Sequence, residues 1–326
     1  MRKRLSTKNV LAMFAILIAF STGACDNADV VGPEYESGTL VDGLKICLEP
    51  IRVGERFNVR ITHSEWPGNE WQFRLPEYMI IHCVSGDLLR PAPLSKAPGQ
   101  SVVLYGSRGG HDPAEYSIVM LARDDFIDVV ATVTNTGSRH WNAGAFALAC
   151  LVFGRAPAFH DGTLERTRAH FDGEFLDIKT ARHRSGIHVE DLDVFRQSAH
   201  VLRAEDIGWR DEPAHSRRDT VDCSLIVRSS RYGSFQIAQA WEDAFSVSYN
   251  LEDPRLNCIH SNPRFGALEP GQSRIVRGRI YFVTGTIDAL FGRFLKDFPH
   301  RGYEIESRGS ANHYDPAEYQ RGGRGS

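Results

Sequence analysis

The stretch from Ala240 to Gly271, AWEDAFSVSYNLEDPRLNCIHSNPRFGALEPG, concentrates side chains that could do chemistry. Trp241 stands beside Glu242 and Asp243, and Asn250, Asn257, His260 and Asn262 follow on loop-like sequence. This mixture suits a hydroxyl-rich ring: C–H faces stack on an indole, while carboxylates and amides answer the hydroxyls. A carboxylate held near an imidazole also suits general acid–base work, with His260 set against Glu242 or Asp243. The plainer alternative puts Trp241 in a core, leaves Glu242 and Asp243 at a strand end, and bonds His260 to backbone.

A second group lies at Arg155, His160, Asp161, Glu165 and Arg166. Phe159-His160-Asp161 follows an apolar run and a proline turn, where side chains emerge at a sheet end. An arginine there could clamp a uronate carboxylate with two parallel hydrogen bonds, or simply form a salt bridge. His160 joins His260 as a candidate acid or base; Arg155, Asp161, Asn250, Asn262 and Trp241 are candidate ligand contacts. Cys258 and His260 could be two metal ligands, but no partner pair is visible in the sequence. None of the 13 histidines falls in an HExxH pattern, and no CxxC occurs. GxSxG and a glycine-rich phosphate loop are absent too. No metal and no cofactor are expected.

These groups need a frame, and the frame reads as β. Phe57, Val59 and Ile61 alternate, as do Trp71, Phe73 and Leu75, and Ile127, Val129, Ala131 and Val133. Tyr116–Ala122 and Phe126–Thr134 form an expected hairpin across Arg123-Asp124-Asp125. Ala145–Phe153 reads as one buried strand and Ser273–Val283 as another. Turn signals recur roughly every 8–15 residues between strands, which predicts a large all-β sandwich rather than βαβ units. A short helix is expected near Val189–Gln197, inside a His- and Arg-rich excursion over 179–219. One amphipathic helix is clear: Ile287, Leu290, Phe291, Phe294, Leu295 and Phe298 share a face, with Thr286 or Asp288 as its cap. It should pack on the outside of the sandwich.

The N-terminus predicts export. Arg2, Lys3, Arg4 and Lys8 precede the apolar run Val10–Phe20, too short to span a bilayer as a stable helix. Gly23, Ala24 and Cys25 then match a bacterial lipobox, with Thr22 where leucine is usual. Residues 1–25 are read as the leader with Cys25 lipidated, 26–37 as a linker, 38–300 as one β domain and 301–326 as a disordered tail. The expected location is the periplasmic face of a membrane or the cell surface, with the membrane touched only through the lipid. Lipidation of Cys25 leaves five of six cysteines, of which Cys47 and Cys150 read as buried inert thiols. A formal net charge of −3 gives no basic field for nucleic acid.

WED at 241–243, the NCIH and NP segments, and LEPGQSRIVRGRIYFVTGT before the amphipathic helix resemble secreted bacterial proteins of the galactose mutarotase-like β-supersandwich group. FGRAPAFHDGTLERTRAHFDGEF at 153–175 is similar to a mid-chain stretch of such proteins. The resemblance implies a supersandwich fold and carbohydrate as the ligand class. The histidine acid and glutamate base of true mutarotases do not map onto it, so mutarotation itself is not implied. The expectation is a protein that binds or modifies a saccharide, by epimerase-like or lyase-like proton transfer if it is catalytic. The alternative is a non-enzymatic envelope interaction module on the same scaffold.

Overall fold

A computed structural model describes residues 45–299, apart from segments at 54–55, 78, 82–89, 94–98, 110–111, 185–191, 197–220 and 251–254. The leader with Cys25, the 26–37 linker and the 301–326 tail lie outside the described residues. In chain order the strands are β1 (Ile46–Val53), β2 (Arg56–His63), β3 (Glu70–Arg74), β4 (Met79–Ile80), β5 (Arg90–Pro93) and β6 (Ser101–Arg108). They continue with β7 (Ala114–Ala122), β8 (Phe126–Asn135), β9 (Phe146–Ala147), β10 (Cys150–Arg155), β11 (Thr167–Phe171) and β12 (Glu174–Asp177). The last six are β13 (Leu192–Arg196), β14 (Ile226–Ser229), β15 (Phe235–Trp241), β16 (Ala244–Asn250), β17 (Cys258–Pro263) and β18 (Ser273–Thr284). The helices are α1 (Ile178–Arg184) and α2 (Ile287–Asp297).

Two large antiparallel sheets result, with the short pair β4–β9 beside them. One has seven strands in the order β1-β2-β3-β10-β17-β16-β13; the other has nine, β12-β11-β14-β15-β18-β8-β7-β6-β5. The alternation in the sequence builds the sandwich directly. Ile118 lies opposite Ala131, and Met120 opposite Val129, so the inward sets of β7 and β8 meet in one layer. In the facing sheet, Val59 pairs with Phe73, Phe73 with Leu151, Leu151 with Ile259 and Ile259 with Tyr249. All of these belong to one buried core. Burial of such rows is the dominant favourable contribution to the fold, about 1.5–3 kcal/mol for each large apolar side chain.

Two local expectations are corrected. The segment near Val189–Gln197 supplies strand β13, paired with β16 from Leu192 opposite Asn250 to Arg196 opposite Ser246, not a helix. Backbone pairing at a sheet edge outweighs a weak helical preference, and the helix of this region lies earlier, at α1. The Ala145–Phe153 run is split: β9 pairs with β4, while β10 crosses into the seven-stranded sheet.

Helix α2 packs on the outer face of the nine-stranded sheet, as its apolar stripe predicts. Leu290 and Phe294 are buried against Leu225, Val227, Ala238, Ala240 and Tyr281. Thr286 caps the helix, its hydroxyl accepting from the Ala289 N–H at 3.2 Å. Thr286→Ala should therefore cost about 1 kcal/mol, read as a lower denaturation midpoint with an unchanged slope. An unaltered midpoint would show that packing alone holds the helix start.

Candidate functional site

Successive residues of a strand point to opposite faces, so the inward row Phe73, Leu151, Ile259, Tyr249 implies an outward row on the same four strands. That row is polar. Arg74 of β3 lies opposite Cys150 of β10, Cys150 opposite His260 of β17, and His260 opposite Ser248 of β16. Cys258 and Asn262 flank His260 at two residues on either side of it, on the same face. All of them but Arg74, which is partly exposed, are buried: His260 is 3% exposed and Cys150 0%.

His260 sits at the centre. Its Nδ1 lies 3.1 Å from the Ser248 hydroxyl, its Nε2 3.5 Å from Cys258 Sγ and 3.7 Å from Glu77 Oε2. Glu77 follows β3 and is fixed by its own N–H, which donates to the Leu148 carbonyl at 2.8 Å, just before β10. Its other carboxylate oxygen accepts from Arg74 Nη1 at 3.1 Å. Asn262 Oδ1 accepts from the Ala149 N–H at 3.2 Å, and its Nδ2 donates to Ser246 Oγ at 2.9 Å. The result is a carboxylate, a guanidinium, an imidazole, an amide, hydroxyls and two thiols on one face.

The charges support each other. Burial disfavours the Glu77 carboxylate, but His260 and Arg74 outweigh that and hold it well below the usual range. Burial also opposes the His260 imidazolium, and Cys258 and Glu77 outweigh it, pushing the group up. The hydrogen bond from Cys150 pulls the Cys258 thiol down, aided by His260, while burial pushes Cys150 up.

The predicted residues divide. His260 and Asn262 fall on this face, and Asn250 ends β16 opposite Cys258. The others are placed elsewhere. Trp241 is 2% exposed and belongs to the same core as Ile259, on the far side of the seven-stranded sheet from His260. It is core filling, not a stacking platform. Glu242 Oε1 accepts from the Arg277 N–H at 3.2 Å, and Asp243 is held by Arg264 at 3.0 and 3.1 Å. Both occupy the β15–β16 turn and do not face His260. His160 is exposed on the β10–β11 connection, where its carbonyl accepts from Arg166. Arg155 is largely exposed and pairs with Glu70 at 3.3 Å.

Asp161 is corrected most plainly. It is 1% exposed and lies 3.8 Å from Arg228, whose side chain is fully buried. Asp161 Oδ2 accepts from Thr167 Oγ1 at 2.8 Å and from the Arg166 N–H at 3.0 Å. Arg228 donates to Thr167 Oγ1, to the Phe159 carbonyl and to Asn257 Oδ1, and stacks over Phe153. The Asp161–Arg228 pair is interior scaffolding. It positions the site indirectly, because Asn257 immediately precedes Cys258.

Sequence reasoning missed Arg74, Glu77, Cys150 and Ser248. The alternation within CIHSN groups Cys258, His260 and Asn262, but only strand register brings β3, β10 and β16 to them. A separate cleft of about 370 Å³ lies at one end of the sandwich beside α2, lined by Lys45, His63, Glu65, Asp124, Asp125 and Arg293 among others. It shares no residue with the polar face.

No family model matches the chain, and no curated protein matches it in sequence. Solved structures do. The chain is similar in fold to galactose mutarotase-like proteins. One, from Lactobacillus casei ATCC 334, is 10% identical over 72% of this chain and 100% of its own, with a TM-score of 0.39. A galactose mutarotase related enzyme from Lactobacillus acidophilus is 10% identical over 74% of this chain and 98% of its own, TM-score 0.38. The α-N-acetylgalactosaminidase NagBb from Bifidobacterium bifidum is 10% identical over 78% of this chain and 38% of its own, TM-score 0.43. At such identities the likeness is one of fold alone.

Proposed function

We propose that the chain is an exported, lipid-anchored protein that binds or modifies a saccharide on the polar face of the seven-stranded sheet. The observation that carries the reading is the row Arg74, Cys150, His260, Ser248, with Glu77 and Asn262 beside it. A buried sheet face is ordinarily apolar, and this one instead holds the planar donors and acceptors that answer sugar hydroxyls. It agrees with the carbohydrate class implied by the sequence resemblance. Export and anchoring rest on the basic, apolar and Cys25 segments of the leader. Arg74 and Glu77 are partly exposed at the edge of the polar face, while Cys150, His260, Ser248 and Asn262 are buried behind them.

The test is ligand-observed NMR on the purified chain with a panel of aldoses and uronic acids, with anomeric exchange followed in the same samples. At least one saccharide should show saturation transfer. Arg74→Ala or Asn262→Ala should weaken its affinity on the order of tenfold to a hundredfold, because each removes a buried, partly charge-assisted hydrogen bond. Asp243→Asn, in the turn held by Arg264, should bind as the parent does. Absence of transfer to every sugar would sink the proposal and leave a non-enzymatic envelope role as the better account.

A further inference from the structure

We propose that Cys150, Cys258 and His260 bind a divalent cation of the zinc class, with the Glu77 carboxylate as a neighbouring negative charge 3.7 Å from His260 Nε2. Cys150 and His260 are direct partners on adjacent strands, and Cys258 precedes His260 by two residues on the same face. The three side chains therefore project together from a rigid part of the sheet. Their donor atoms all lie within 4.8 Å of one another.

The spacing suits three corners of a tetrahedron, the fourth left to water or another ligand. Zinc–sulfur bonds of about 2.3 Å and zinc–nitrogen bonds of about 2.0 Å give donor–donor edges of roughly 3.3–3.8 Å. Cys258 Sγ to His260 Nε2 is 3.5 Å, inside that range. The ring is also oriented for the task. Ser248 Oγ lies 3.1 Å from Nδ1 and can accept its proton, which leaves the Nε2 lone pair facing the sulfurs and the carboxylate. Outer partners of this kind fix the tautomer of metal-binding histidines.

Charge balance points the same way. Two thiolates and the Glu77 carboxylate carry three negative charges, and a divalent cation with the Arg74 guanidinium carries three positive ones. Arg74 is already bonded to Glu77 at 3.1 Å. A largely buried site tolerates charge only when it is neutralised in this manner. The ion would tie β10 to β17 at the middle of the seven-stranded sheet. The site shares Cys150, His260 and Glu77 with the saccharide reading but is argued from donor spacing, and metal analysis in the absence of sugar tests it separately.

The competing fate of two neighbouring thiols outside the cytoplasm is a Cys150–Cys258 disulfide. The test separates them. The full chain is reconstituted with zinc, passed through metal-free buffer and analysed for metal by mass spectrometry. About one zinc per chain is expected. Cys150→Ser and Cys258→Ser should each lower the affinity at least a hundredfold, and Cys223→Ser, which is buried against α2, should retain the ion. Because the site variants could fail to fold, cobalt loading of the parent gives a second readout: intense visible bands of tetrahedral thiolate-bound cobalt. Less than a tenth of an equivalent of zinc in the reconstituted parent, no thiolate–cobalt bands, or a Cys150–Cys258 disulfide in non-reducing peptide mapping would each overturn the proposal.

Discussion

Asp161→Ala should destabilise the chain by about 3–5 kcal/mol, because it strands a fully buried guanidinium without its counter-charge. Arg228 has no other carboxylate partner among the described ion pairs. Burial pulls its guanidinium down to about 10, so it remains charged at neutral pH. Thr167 and the Arg166 backbone lose their acceptor in the same substitution. Denaturant unfolding measures the cost. A companion Arg228→Met removes the stranded charge, so the double variant should lose less than the sum of the two single losses. A cost for Asp161→Ala below about 1 kcal/mol, in the range of an exposed ion pair, would show that the pair is solvated in the folded protein.

The same carboxylate gives a pH signature. Burial pushes Asp161 up, but Arg228, Thr167 and Arg166 outweigh it and hold the group below its ordinary value. A depressed folded-state value means stability that is fully present above the unfolded carboxyl value of about 4. That contribution is lost as pH falls from there through the lower folded value. Asp161→Asn should therefore be less stable than the parent at neutral pH. Its stability should also fall less steeply with acid over that window.

Trp241→Ala should cost about 3–5 kcal/mol, the range for emptying a buried aromatic site. The indole lies against Gly278, where an added Cβ would come within 2.5 Å of the ring, so the backbone is shaped around this side chain. Its Nε1 has no hydrogen-bond partner among the described residues, so Trp241→Phe loses packing volume but no hydrogen bond. Trp241→Phe should fold, cost clearly less than Trp241→Ala, and leave saccharide affinity unchanged. A Trp241→Phe variant of parental stability that no longer binds the sugar would return the indole to the ligand site.

The layers of the sandwich were legible because their signal is local. Ile127, Val129, Ala131 and Val133 declare one face of β8 by alternation alone, and the stripe from Ile287 to Phe298 declares α2. Strand β13 was not legible, because its pairing with β16 comes from tertiary context. The site was half legible. His260 and Asn262 stand out by residue type but read as loop-like sequence; the structure puts them on strand β17, where Ser261 between them hides the polar–apolar alternation. Glu77, Arg74 and Cys150 come from distant parts of the chain and meet His260 only through the register of β3, β10 and β17. The misleading cue was the adjacency of Trp241, Glu242 and Asp243. Neighbours in sequence at a strand end do not share a direction, so the indole entered the core while Arg277 and Arg264 took the two carboxylates.

A crystal structure of the chain in complex with whichever saccharide binds best tests the central claim most directly. Density for the sugar should lie over the seven-stranded sheet, in contact with Arg74, Asn262 and the His260 row. Density in the cleft between Lys45 and Arg293, with none over the polar face, would contradict it.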